Sequence, residues 1–266
     1  SSDLELNGML LQQQGDMSHY NGADYSQLPR YMALPAQWLR AHNQLQVHIR
    51  ADIGRRGGLA RITVGSAAAV YELYEHYLNW MSVGTIIVSM FSLIIGVIAL
   101  SLWGTQVDRS VPGVARRDSL YLYAGLAEVV WSVGVGYVVL ERPPLAWPWW
   151  GMLSIFALGI WCSGMALFCI EVAGWGSRVS ARWFRRGLLA LLLLCPVVTY
   201  LALGQGQAWL LTSWYVLMGL NFMGFVSVFS WQVWRRVSPW SLRVIATAIW
   251  LNLIMGLRDI YMFRID

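Results

Sequence analysis

The sequence predicts an all-α membrane bundle of six spans, preceded by part of an extracytoplasmic β-sandwich of jelly-roll type. Three observations carry this. Of 266 residues, 57% are hydrophobic and only 12% are charged, whereas a soluble domain carries about 25% charged residues. Six apolar runs follow residue 79, each near the ~20 residues a helix needs to cross ~30 Å of hydrocarbon. Before residue 67 the apolar residues instead alternate and are punctuated by turn dipeptides, as in strands.

Residues 1–66 form the predicted partial sandwich. DLELNGMLL places Asn7-Gly8 between apolar-rich runs, and that dipeptide reaches positive φ cheaply, as a tight hairpin requires. QLQVHIR alternates Leu45, Val47 and Ile49 with Gln46, His48 and Arg50, the pattern of a half-buried strand. GLARITVG repeats it with Ala60, Ile62 and Val64, and DIGRRGG between the two predicts a turn. NGADYSQLPRYMALP predicts a loop followed by an edge strand ending at Pro35. Four or five strands in so short a stretch bury little core, so further strands are expected upstream. The start SSDLELNG has no initiating Met and no leader pattern, as expected of a truncated or processed chain.

At residue 67 the period changes. AAAVYELYEHYLNW predicts a helical neck over 67–79, with Tyr71, Tyr74 and Tyr77 spaced three apart along one side. They suit an interfacial aromatic anchor or a ladder on which a ligand stacks. The predicted spans are 80–104, 119–140, 147–173, 187–204, 208–233 and 240–263, with tryptophans clustered at their ends as in an aromatic belt.

The loops orient the bundle. All 19 basic residues are Arg. Ten of them, Arg109, Arg116, Arg117, Arg178, Arg182, Arg185, Arg186, Arg235, Arg236 and Arg243, fall after spans one, three and five, against only Arg142 in the loops at the other end. The bias predicts that the first set is cytoplasmic and that the N-terminal domain lies in the periplasm. It also accounts for the formal net charge of +5 without a nucleic-acid partner.

Several function classes lack their parts. Cys162, Cys169 and Cys195 all lie in apolar runs and suggest neither a disulfide framework nor a zinc site, and the four histidines all precede the first span. No metalloprotease, phosphate-loop or nucleophile-elbow motif occurs. No catalytic residue, metal site or cofactor is therefore assigned.

Ionisable groups inside a membrane are functional candidates by default. Glu128 lies about a third of the way into the second span, and Asn221 and Asn252 lie midway along the fifth and sixth. Helix-to-helix hydrogen bonding explains all three. For Glu128 a signalling or ligand role and a proton path are the alternatives, and the carboxylate is expected to face the bundle interior near Asn221 or Asn252. Glu171, at the arginine-rich end of span three, can reach the loop arginines. Gly134, Gly136 and the glycines of GLNFMG permit close helix approach, and Pro196 is expected to kink span four. Arg258 and Asp259 lie near the outer end of span six, and adjacent residues point about 100° apart on a helix, so each needs its own partner. The preferred partner of Arg258 is Glu72 or Glu75 in the neck, which would couple sensor to bundle; plain interfacial anchoring is the alternative.

LELNGMLL, LPAQWLRAHNQLQVHIRA, RGGLARITVGSAAAVYELYEHYLNW, RRDSLYLYAGLAEVVWSVG and MGLRDIYMFR together resemble the bacterial seven-transmembrane receptors with diverse intracellular signalling modules. The likeness covers nearly the whole chain, and the order of its motifs carries it. It implies a sensor histidine kinase or diguanylate cyclase, reading a small, often carbohydrate-like periplasmic ligand, working as a homodimer in the inner membrane. Only six spans are present, and no phospho-acceptor stretch, ATP box or cyclase motif follows. The parent reading frame is therefore expected to continue through a seventh span to an output module. A secondary transporter built of two three-span repeats and a structural subunit of a larger membrane assembly are the rival readings.

The orientation has a direct check. Alkaline phosphatase fused after Asn79 is expected to be active and a fusion after Arg117 inactive; the reverse pattern would overturn the topology.

Overall fold

The computed structural model describes residues 2–14, 29–50, 61–111, 114–136, 144–146, 148–235 and 239–265, without the side chains of 14, 108–116, 208 and 255–265. The chain begins with β1 (Ser2–Leu6) and β2 (Met9–Gln14), joined at Asn7-Gly8. Both turn residues have positive φ, 54° and 82°, so the hairpin forms where the dipeptide predicts it. Asn7 does more than tolerate that conformation. Its amide donates to the Trp38 carbonyl at 2.8 Å, and its side-chain oxygen accepts the Gln44 N–H at 2.9 Å. The turn thereby holds the segment leading into β3 (Leu45–Ile49), which pairs antiparallel with β1 to give the order β2-β1-β3. A register shift between Leu4 and Glu5 leaves Leu11 as the extra residue of a bulge.

This sheet is a single layer, and among the described residues no second sheet faces it. Leu6 is buried, but Leu45, opposite it, and Ile49 are exposed. The strand expected from the alternation in GLARITVG does not form over its described part: residues 61–66 have no ladder partner, and Ile62 and Val64 are exposed. No edge strand forms over 29–35, where a short 3-10 turn follows at Ala36–Trp38. Alternation marks a chain able to pair; it does not supply the neighbouring strand. Residues 15–28 and 51–60, which carry the rest of those expectations, lie outside the described residues.

The helices begin with the neck, α1 (Ala67–Leu78), which runs through a π turn at Asn79–Val83 into α2 (Gly84–Thr105). The whole is one helical rod of 39 residues, roughly 58 Å at 1.5 Å per residue. That is long enough to cross the hydrocarbon and project beyond it. A hairpin of β4 (Val107–Val111) and β5 (Val114–Arg117) then leads to α3 (Ser119–Gly136). The arginines of this stretch mark it in the sequence as a loop, and Val107, Val111 and Val114 around Pro112-Gly113 are the sign of strands and a turn. The remaining helices are α4 (Trp149–Val172), α5 (Val179–Gly204), α6 (Ala208–Arg235) and α7 (Trp240–Ile265).

Five of these elements, including the neck with α2, are long and apolar enough to cross a membrane; the described apolar part of α7 is Trp240–Ile254. Side-chain exposure fits the same environment. Ile86, Ile87, Met90, Phe91, Ile94, Ile95 and Ile98 of α2 all face outward, a continuous apolar surface that lipid accepts and water does not. The chain is a multi-pass membrane protein. α5 starts at Val179, before the predicted 187, because hydropathy falls at Arg182, Arg185 and Arg186 while the backbone ladder continues through them. Pro196 lies within α5 without ending it, and the Thr199 hydroxyl donates to the Cys195 carbonyl at 2.7 Å.

α2 packs on α3, α3 on α4, and α4 on both α5 and α6, with α7 against α6. Two cores result. Cys169, Phe222, Val226, Phe229 and Ile249 join α4, α6 and α7, and Ile155, Cys195, Trp214 and Met218 join α4, α5 and α6. Trp150, at the start of α4, is buried. Of the expected glycines, Gly136 meets α2, where a Cβ would stand 3.0 Å from the Ser89 hydroxyl, but the closest approach to backbone lies elsewhere. A Cβ on Gly134, Gly219 or Gly224 would meet open space, whereas one on Gly96 would come within 2.8 Å of the Val129 backbone nitrogen. Gly125 opposes it, where a Cβ would stand 3.0 Å from the Gly96 carbonyl. Ser89 adds a hydrogen bond from α2 to the Ser132 carbonyl of α3 at 2.8 Å.

Gly96→Ala is therefore expected to lower stability in detergent by about 1–3 kcal/mol, the usual cost of overpacking. Gly134→Ala, the same change into open space, should be neutral or slightly stabilising, since Ala favours helix. Thermal unfolding of the two variants checks this; equal effects would show that the α2–α3 contact is not the tight one.

Candidate functional site

Two places gather polar and aromatic groups: the junction of sheet and neck, and the arginine-rich end of the bundle. At the junction, Tyr31 packs edge-on to Tyr71 with ring centroids 5.3 Å apart and lies 5.8 Å from Tyr74. Tyr71 and Tyr74 are themselves 6.1 Å apart, as successive turns of one helix face allow. The N-terminal domain thus grips the neck through an aromatic cluster. Tyr77 stays exposed, as do Glu72 and Glu75. Among the described residues neither glutamate has an ion-pair partner. The side chains of Arg258 and Asp259 lie outside the described residues. The neck tyrosines are visible in the sequence by their spacing, whereas Tyr31 is not, because only the tertiary fold brings residue 31 to the neck.

The intramembrane candidates are not brought together. Asn252 is exposed and donates to the Ala248 carbonyl of its own helix at 3.0 Å, so it is spent locally and does not glue α7 to a neighbour. Asn221 is half-buried on α6, beside Phe222 in the core. Glu128 is half-buried on α3, one turn before Trp131, which stacks on Trp161 of α4 at 4.6 Å, and before Ser132, which receives Ser89 of α2. Its face therefore lies between the α2 and α4 contacts. Among the described residues its carboxylate hydrogen-bonds neither Asn221 nor Asn252.

The arginine-rich end is organised. Glu171 forms an ion pair with Arg185, as its position in the sequence suggests, and Gly176 passes over the pair, where a Cβ would stand 3.0 Å from the guanidinium. Five further arginines lie over tryptophan rings: Arg117 over Trp103, Arg178 over Trp175, Arg186 over Trp183, Arg235 over Trp231 and Arg243 over Trp234, at 4.8–5.7 Å. Arg178 also donates to Gln232 at 3.2 Å. A cleft of about 710 Å³ opens here between Thr105–Val107 and the start of α3, with Arg117, Asp118, Tyr121 and Glu171 in its walls. Its carboxylates have local work: Asp118 caps α3 by accepting the Leu120 N–H at 2.9 Å, and Glu171 holds Arg185.

No protein-family model, curated protein or solved structure matches the chain.

An unpaired carboxylate that is half in contact with apolar groups weakens a bundle unless its role requires it. Glu128→Leu is accordingly expected to raise detergent stability by about 1 kcal/mol, the opposite of what a helix-bonding role implies. Thermal unfolding decides it: a fall in midpoint would mean that Glu128 has a partner in the membrane.

Proposed function

We propose that this chain is the sensing and membrane-relay part of a bacterial transmembrane receptor of the seven-transmembrane, diverse-intracellular-signalling type. In this reading the protein is a sensor histidine kinase or diguanylate cyclase of the inner membrane whose output module is not among these 266 residues. The N-terminal sheet is one layer of a periplasmic sandwich that reads a small, carbohydrate-like ligand. The observation that supports it best is mechanical: one unbroken helical rod, Ala67–Thr105, carries the N-terminal domain on its outer end, clamped by Tyr31 on Tyr71 and Tyr74. A movement of the sheet therefore moves the first span. The relay residues in this reading are Tyr31, Tyr71 and Tyr74, with Glu72 and Glu75 available to a partner from the outer end of α7. Pairing of rods in a homodimer would carry the movement between protomers.

Hydrogen–deuterium exchange on the full chain in nanodiscs tests this. A mono- or oligosaccharide that binds should protect residues 2–14 and 45–49 and also alter exchange at the π turn, 79–83. In Tyr31→Ala the protection of the sheet should persist and the change at the π turn should vanish. Saccharide accumulation in proteoliposomes, without any change at 79–83, would favour the transporter and overturn the receptor reading.

A further inference from the structure

The two ends of the bundle differ in chemistry more than topology alone requires. Ten arginines share the end where α2, α4 and α6 finish, and only three carboxylates, Asp108, Asp118 and Glu171, accompany them. Glu171 is committed to Arg185, and Asp118 to the start of α3. Among the described residues, none of Arg117, Arg178, Arg186, Arg235 and Arg243 has a carboxylate partner. Each lies instead over a tryptophan. Stacking engages the face of a guanidinium and leaves N–H groups at its edge, which match the spacing of phosphate oxygens. Arg186 and Arg235 are exposed, whereas Arg178 already donates to Gln232 and Arg243 has its Nε buried. The tryptophans fix the height of these groups. Trp183, Trp231 and Trp234 are exposed at the ends of spanning helices, where indoles sit among headgroups. The result is a ring of cations without carboxylate partners among the described residues, at the ends of spanning helices where lipid phosphates lie.

We propose that this arginine–tryptophan ring is a binding surface for anionic phospholipids, with the guanidinium edges donating to headgroup phosphates and the indoles packing along the upper acyl chains. Charge complementarity selects the occupant: a lipid of net negative headgroup offers the charge that the ring lacks, while a zwitterionic lipid cancels its own. The surface does not depend on the receptor reading, nor on which end faces the cytoplasm.

Native mass spectrometry of the full chain, purified with equal amounts of phosphatidylglycerol and phosphatidylcholine, tests the proposal. The unaltered chain should retain phosphatidylglycerol in preference. Arg186→Gln with Arg235→Gln, two exposed side chains whose loss leaves the cores intact, should reduce that preference by roughly fivefold per arginine. Arg186→Lys with Arg235→Lys should keep part of it, because the charge remains and the planar edge is lost. Arg61→Gln, in the N-terminal segment, should change nothing. An undiminished preference in the Gln pair would overturn the proposal. So would displacement of phosphatidylglycerol by millimolar inorganic phosphate, which would mark a site for a free anion instead.

Discussion

The N-terminal sheet and the neck are attached to the rest of the bundle through the contact of α2 with α3. Helices in lipid gain nothing from excluding water from one another, so their association rests on close packing and hydrogen bonds. Gly96 and Gly125 supply the first and Ser89 the second. Because the neck and α2 are one rod, that contact also fixes where the sheet stands. From α3 the order passes inward, through Trp131 on Trp161 and Trp161 on Phe222, to α4 and the two cores. α4 is the hub because it carries small residues on several faces. Gly159, Ser163, Gly164 and Ala166 are all buried, which lets three neighbours approach it.

The helical architecture was legible because the bilayer imposes a length on apolar runs, and that length can be counted. The hairpin at Asn7-Gly8 was legible because a backbone conformation demanded particular residues. Glu171 was legible as a partner of loop arginines because few other groups were within reach. What stayed hidden depended on neighbours. Gly134, Gly219 and Gly224 are as small as Gly96, and nothing in their spacing says which glycine meets another helix. Asn252 looked like an interhelical donor, but a carbonyl one turn earlier was nearer. Alternation at Leu45, Val47 and Ile49 marked one face of a sheet without saying what covers it. Tyr31 carried no periodic signal at all, since a contact between residues 31 and 71 belongs to the tertiary fold.

The apolar girdle and the polar ends divide their labour. Between the ends, side chains such as Phe91 and Ile94 meet lipid, and specificity comes from shape alone. At the arginine-rich end the same chain uses charge: a paired glutamate, a capped helix and guanidiniums held over indoles. The contrast explains why so few ionisable groups occur within the spans. Glu128 is the exception on α3, where it is half-buried.

The π turn at Asn79–Val83 has a geometric consequence. There the Gly84 N–H reaches back to the Asn79 carbonyl, five residues instead of four, so the turn holds one residue more than an α turn would. Each residue advances an α-helix by about 100°. The turn therefore sets the angular phase between the tyrosine face of the neck and the glycine face of α2. Wound as plain α-helix, the rod could present only one of these faces to its partner, and the other would be turned away by more than a quarter of a revolution. The extra residue works as a keyway, indexing the N-terminal sheet to the bundle by rotation about the shared axis.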